Sequence, residues 1–244
     1  MTKTVVLVNH PLSKRDDRAA ALLAARGYRL DWRCPGDGDA LPDPKDDAGA
    51  AVVYGGPESA NDGDSKPYIR AELAWIERWL ETGKPYLGLC LGSQMLSKVL
   101  GGTVAPHPEG LYEIGYVEAQ PTAACNGFMP GAMHVYHWHK EGFTVPASAT
   151  LLASGSTFPN QAFRYGETAY GLQFHPEVTP AMLRRWVTEA GHMLSNSNAH
   201  PAERQLADAA RYDAPLAAWL ERFLTTWLAS GETASSARKT GTRG

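Results

Sequence analysis

Cys90 stands at the centre of Gly88-Leu89-Cys90-Leu91-Gly92, a Gly-x-Cys-x-Gly run between an apolar strand-like segment and an amphipathic one. The flanking glycines permit a sharp strand-to-helix turn, which projects the central side chain over a sheet with its sulfur at a helix N-terminus. Helix dipole and unpaired N–H groups favour a thiolate there, and the N–H of Leu91 is placed to bind a developing oxyanion. Taken alone, Cys90 reads equally well as a small buried apolar residue ending a strand. A thiol nucleophile also needs a base, and Phe174-His175-Pro176-Glu177 supplies a candidate. On an extended chain residues i and i+2 share a side, so Glu177 can reach the His175 imidazole, fix its tautomer and stabilise its charged form. An isolated His-Pro-Glu would more readily be an ordinary surface pair. The third element is Tyr54-Gly55-Gly56-Pro57-Glu58-Ser59. Its glycines let the backbone approach a ligand at Gly55, and the Gly56 N–H could complete an oxyanion hole with that of Leu91.

These residues can cooperate only if the fold brings them together. Thr4–Asn9, Tyr28–Arg33, Gly49–Tyr54 and Tyr86–Leu89 read as strands, alternating with helices over Asp16–Arg26, Pro67–Thr82 and Ser93–Leu100. In the second helix Ile69, Leu73, Ile76 and Leu80 form the apolar stripe. Such alternation predicts an α/β protein with a parallel sheet covered on both faces. Beyond Gly102 the segments Glu113–Ala119, Met133–Trp138, Thr150–Ala153, Gln161–Tyr165 and Ala169–Phe174 are short strand-like runs, the last two joined by a turn at Tyr165-Gly166-Glu167. Antiparallel strands are expected there, followed by helices over Pro180–Leu194 and Ala214–Ala229. One domain over residues 1–230 and a mobile polar tail over 231–244 complete the expected organisation. All three chemical motifs fall at the C-terminal ends of expected strands, the edge at which open α/β sheets bind ligands.

The blocks GGPES, PYLGLCLGSQML and GLQFHPEVT resemble the three signature blocks of the class I glutamine amidotransferases, the Cys-His-Glu triad family. The resemblance extends from about Thr4 to the helix after Pro180. It implies a flavodoxin-like, mostly parallel sheet flanked by helices, and cleavage of a γ-glutamyl amide through a γ-glutamyl thioester on Cys90. His175 would act as base and acid with Glu177 as its orienter, and Gly56 and Leu91 would form the oxyanion hole. Gln94 would contact the amino-acid end of the substrate, with Gly55, Trp138 and His139 as further substrate-binding positions. EIGY at Glu113, WHKE at Trp138 and NQAFR at Asn160 are similar to the stand-alone, GMP-synthase-like members. Many glutamine-using members carry a small polar residue and then His-Gly-Asp where this chain has Trp138-His139-Lys140-Glu141. Bulky Trp138, with Lys140 in place of glycine, implies a differently shaped glutamyl pocket. That leaves a γ-glutamyl peptidase or hydrolase, with water as acceptor, as an alternative. A catalytically idle binding or regulatory subunit is a second alternative, against which the complete triad argues.

The 244 residues leave no room for a synthetase beside the amide-cleaving site, and no P-loop is present, so an ammonia-consuming synthetase or transferase would be a separate chain. A net charge of −3 gives no reason to expect nucleic acid or an anionic membrane as partner. No apolar run approaches a bilayer-spanning length, and Val5 to Val8 is too short for a secretory core. Three cysteines without a CxxC pair fit a reduced, cytoplasmic protein; Cys34 and Cys125 lack base partners and read as bystanders. His134, His137 and His139 invite a metal reading, but the three-residue step from His134 takes it off the face shared by the other two. No metal and no cofactor is therefore expected. Trp186, Trp219 and Trp227 sit at helical spacings suited to a core.

Overall fold

The continuous apolar run at the N-terminus is explained by a strand buried on both sides. In β1 (Thr4–Val8), Val5 and Leu7 enter one hydrophobic core and Val6 and Val8 the other. The computed structural model describes residues 3–241, with side chains described as far as residue 231. After β1 come α1 (Arg18–Ala25), β2 (Arg29–Arg33), β3 (Ala48–Val53), α2 (Pro67–Glu81), β4 (Tyr86–Leu89) and α3 (Leu91–Val99). The second half carries β5 (Val104–Pro106), β6 (Glu113–Pro121), β7 (Met133–His139), β8 (Glu141–Phe143), β9 (Ala149–Ser154), β10 (Ala162–Tyr165) and β11 (Ala169–Leu172), then α4 (Pro180–Glu189) and α5 (Ala202–Gly241).

Nine strands form one sheet in the order β2-β1-β3-β4-β11-β10-β9-β6-β7. Pairings from β2 through β4 to β11 are parallel, and those from β11 onward to β7 are antiparallel. This is the expected α/β, flavodoxin-like arrangement, with antiparallel strands confined to the second half. The Tyr165-Gly166-Glu167 turn joins β10 to β11 as anticipated, with Gly166 at φ 56°. The sheet order matters for the site: β11 lies beside β4, so the chain leaving β11 emerges next to the chain leaving β4. The three-residue strands β5 and β8 pair with each other and were not expected.

Helix boundaries differ in instructive ways. In α2 the buried face comprises Ile69, Glu72, Trp75, Ile76 and Trp79, whereas Leu73 and Leu80 are only half-buried. The expected stripe is thus rotated toward two tryptophans and an acid. The helix expected over Pro180–Leu194 stops at Glu189 and gives way to a tighter turn over Gly191–Ser195. The helix expected to begin at Ala214 begins instead at Ala202 and carries Pro215 in its interior. Proline removes one helical N–H, yet Leu216, Trp219, Leu220, Leu224 and Trp227 are anchored in the core, so tertiary packing overrides the break. The α5 backbone continues to Gly241; side chains from residue 232 and all of residues 242–244, where the expected tail lies, fall outside the described residues. Among the described residues no helix is long and apolar enough to cross a membrane.

Candidate active site

Cys90 links β4 to α3 at φ 48° and ψ −104°, a conformation non-glycine residues rarely adopt. The glycines on either side are required by close approach. A Cβ on Gly88 would collide with the carbonyl of Gly92, and one on Gly92 with the carbonyl of Val53 in the neighbouring strand. The turn is therefore wedged between β3, β4 and α3, as a nucleophile elbow needs. The Cys90 carbonyl accepts from the N–H groups of Ser93 and Gln94, each at 3.0 Å. The Leu91 N–H, in the first turn of α3, has no carbonyl one turn earlier within the helix. Gln173 donates its Nε2 to the Cys90 sulfur at 3.6 Å.

His175 lies three residues beyond β11, with its N–H donating to the Tyr136 carbonyl at 2.7 Å. Its Nδ1 lies 2.7 Å from Glu177 Oε1, and both side chains are buried. The i, i+2 expectation holds. Burial alone would lower the imidazole pKa, but the Glu177 carboxylate and the Cys90 sulfur outweigh it and hold His175 up to about 10. Nε2, the other nitrogen, is buried without an aligned hydrogen bond, a looseness common before substrate arrives. Trp186 packs edge-on against the imidazole at 5.2 Å between ring centres, so it belongs to the wall of the site as well as to the core. Trp219 and Trp227 are buried in the core as expected. Arg18 fastens the His-Pro-Glu turn: its backbone N–H donates to the Glu177 carbonyl at 2.8 Å and its guanidinium to the Pro176 carbonyl at 3.1 Å.

Gly55 abuts the side chains of both Cys90 and His175. A Cβ there would lie 2.7 Å from His175 Cε1 and 3.3 Å from Cys90 Cβ. The next residue, Gly56, donates its N–H to no other described residue. On its far side the ring of His10, just past β1, packs beneath it. His10 Nδ1 is 3.1 Å from the Gly55 carbonyl oxygen, and its Nε2 is 3.0 Å from Glu72 Oε2. Sequence reasoning missed both partners. The available signal was an acid at Glu72 inside the apolar stripe of α2.

The remaining expected contacts separate. Gln94 is buried, with Nε2 donating to the Glu141 carbonyl at 2.9 Å and to Gln173 Oε1 at 3.2 Å. Trp138 is half-buried, donates Nε1 toward the Met193 sulfur and meets Trp186, which in turn touches His175. His139 is buried with both nitrogens engaged, Nδ1 against the Glu141 carbonyl at 2.9 Å and Nε2 against Glu113 Oε2 at 3.0 Å. Glu113, opposite His139 in the β6–β7 register, also lies 3.4 Å from His137 Nδ1 and accepts from Gln161 Nε2 at 2.8 Å. His134 faces away and stacks on Tyr212. Glu113, His137 and His139 thus form a three-member cluster of metal-ligand type that sequence spacing alone did not reveal. Among the described residues it has no fourth ligand, it is sealed from water, and its separations are hydrogen-bond distances, so it fits a buried acid–imidazole network better than a closed tetrahedral site. Burial pushes His137 down to about 3, and despite burial the His137 and His139 imidazoles and the Gln161 amide hold Glu113 down to about 2.

Of the other thiols, Cys34 is buried, and burial with the neighbouring Asp37 pushes it up to about 11, unsuited to nucleophilic work. Cys125 is half-buried with its sulfur 3.9 Å from the Met129 carbonyl. A cavity of about 300 Å³ lined by Phe128, Arg164, Tyr170, Trp219, Arg222 and Trp227 contains none of the Cys90, His175 and Glu177 side chains. Those three side chains gather instead at the sheet edge, where β4 and β11 end side by side.

Residues 31–190 match the family model of the class-I glutamine amidotransferases. The glutamine amidotransferase-like protein YfeJ of Salmonella typhimurium is 32% identical over 189 residues, covering 75% of this chain and 79% of that protein. A subunit of the glutamine-hydrolyzing GMP synthase of Pyrococcus furiosus is 31% identical over 129 residues, which span 52% of this chain and 65% of the relative. Among solved structures, a glutamine amidotransferase from Thermotoga maritima superimposes with a TM-score of 0.85 at 28% identity, covering 93% of this chain and 99% of that one.

Proposed function

From the premise that the chain belongs to the class-I glutamine amidotransferases, we propose that it hydrolyses a γ-glutamyl amide, with glutamine as first candidate, through a thioester on Cys90. The observation that carries this reading is the convergence of Cys90, the buried His175–Glu177 pair and Gly55 at adjoining strand ends. With its pKa near 10, His175 is an imidazolium at neutral pH, so it meets the substrate as an acid. The Cys90 sulfur attacks the γ-carbonyl carbon, and the carbonyl electron pair moves to oxygen, where the Gly56 and Leu91 N–H groups receive it. Collapse breaks the C–N bond as His175 gives its proton to the departing nitrogen, releasing ammonia and leaving a γ-glutamyl thioester. Now neutral, the imidazole takes a proton from water, whose oxygen attacks the thioester. Glutamate departs, and Cys90 and His175 return to their starting state. Glu177 keeps the imidazole oriented and compensates its charge in both halves.

The buried placements of Gln94 and His139 support a role in shaping the pocket from behind, while Gly55 and Trp138 remain the candidates for direct substrate contact. A second reading, hydrolysis of other γ-glutamyl amides with water as acceptor, is favoured by Trp138, which meets the catalytic wall where many glutamine users carry a small residue. Similarity to one subunit of a GMP synthase supports a separate ammonia-consuming synthetase chain as partner. The test is a substrate panel of glutamine, γ-glutamyl dipeptides, γ-glutamyl alkylamides and glutathione conjugates compared by kcat/KM. Preference for glutamine supports the amidotransferase reading, preference for a peptide or alkylamide supports the hydrolase, and turnover of none overturns both.

A further inference from the structure

We propose that His10 and Glu72 form a buried charged pair that holds and polarises the Gly55–Gly56 peptide, making its N–H an effective oxyanion donor. His10 and Glu72 would be positioning residues, acting through a peptide and touching no substrate. The inference deepens the reading of Cys90 as an acyl-accepting nucleophile and rests on it.

His10 Nδ1 is 3.1 Å from the Gly55 carbonyl oxygen and Nε2 is 3.0 Å from a Glu72 carboxylate oxygen, and both side chains are 1% exposed. A carbonyl and a carboxylate can only accept, so making both bonds requires both ring nitrogens to carry protons. A charged imidazole and its counter-ion therefore sit sealed beneath the glycine pair. Next, the C=O and N–H of a trans peptide point in opposite directions. Fixing the Gly55 carbonyl toward His10 turns the Gly56 N–H away from His10, and no other described residue accepts from it. Gly55 itself presses against His175 and Cys90, so the peptide lies between the charged ring and the reacting pair. Finally, a charge-assisted bond to a carbonyl draws electrons from the amide and strengthens the donor at its other end. Glu58, on the loop after β3, is a further negative group near the ring, and its Oε1 is already bonded to the Tyr68 hydroxyl at 2.7 Å. Burying an ion pair is weak evidence of stabilisation, whereas a fixed dipole aimed at developing charge is a large catalytic effect.

The experiment compares the full chain with His10→Gln and Glu72→Gln using two probes of Cys90. In acylation by p-nitrophenyl acetate the sulfur–carbon bond forms through a tetrahedral oxyanion. The carbon–oxygen bond then breaks, p-nitrophenolate departs with the electron pair, and the proton already held by His175 passes to solvent once the sulfur charge it balanced is gone. Alkylation by iodoacetamide displaces iodide directly and forms no oxyanion. His10→Gln is expected to slow acylation about tenfold or more while alkylation stays within about twofold, since the donor is weakened rather than removed. Glu72→Gln, which keeps the His10–Gly55 bond, should fall between wild type and His10→Gln, so it keeps the inference testable if His10→Gln does not fold. With glutamine the loss should appear in kcat and not in KM. Parallel loss of acylation and alkylation, or loss of neither, overturns the proposal. Neither probe is a γ-glutamyl amide, so failure of wild type to cleave any γ-glutamyl amide of the panel overturns the functional reading while the two probe rates still decide this one.

Discussion

Replacing Glu177 by Gln isolates the contribution of one charge to the candidate site. The amide is nearly isosteric, and its oxygen can still accept from His175 Nδ1, so orientation survives while the negative charge is lost. The native contact is 2.7 Å between two buried side chains. A charge-assisted hydrogen bond contributes about 1.5–3 kcal/mol, about twice a neutral one, so losing the charge while keeping the bond costs about 0.75–1.5 kcal/mol, which at about 1.4 kcal/mol per factor of ten is a loss of about 3- to 12-fold in kcat/KM. The pH dependence provides an independent check. Glu177 is the leading group holding His175 up to about 10 against burial, so the imidazolium form should disappear at lower pH in the variant. The alkaline limb of the kcat/KM profile should therefore move down. Stability should follow the same sign. A histidine with a raised folded-state pKa contributes stability that is full below its ordinary pKa near 6.5 and is lost as pH rises through about 10. The deficit of Glu177→Gln in chemical denaturation should be largest at or below pH 6.5 and should vanish above pH 10. Ammonia release measured across pH, together with denaturation at three pH values, checks both. A variant within about twofold of wild type in kcat/KM, with an unmoved alkaline limb, would show that the Glu177 charge does not act on His175.

Gly55→Ala would place a methyl group 2.7 Å from His175 Cε1, on a buried ring that Trp186 also contacts edge-on; we expect kcat to fall about 100-fold or more, with about 1–3 kcal/mol lost in denaturation from overpacking. Comparing Cys90→Gly with Cys90→Ala tests the strained elbow. Both should be inactive, but the glycine variant should be about 1–2 kcal/mol more stable, because glycine adopts φ 48°, ψ −104° without the clash that a Cβ brings. Equal melting temperatures for the two would show that the turn stores no strain.

How far the molecule could be read from its residues depended on range. β1, β3 and β4 were legible because strands covered on both faces are continuous apolar runs, and Cys90 was legible because its turn needs glycine at 88 and 92. The link between His175 and Glu177 was legible because it is local. What was hidden is long-range. Glu113 meets His139 only through the β6–β7 register, and Glu72 meets His10 only because α2 packs beside the end of β1. The twelve residues of α5 before Ala214 were hidden for a different reason: the helix runs through Pro215, which is tolerated because the residues after it are buried by tertiary packing. Trp186 fitted a core pattern, and half of its role, the contact with His175, depends on a neighbour distant in sequence.

The proposed reaction requires a covalent intermediate at one sulfur. Wild-type chain mixed with glutamine and quenched in acid during turnover should carry one added γ-glutamyl group on the peptide containing Cys90, as read by mass spectrometry. Cys34 and Cys125 peptides should be unmodified, and Cys90→Ala should carry none. Ammonia release without modification of Cys90, or with the adduct on another cysteine, would contradict the account.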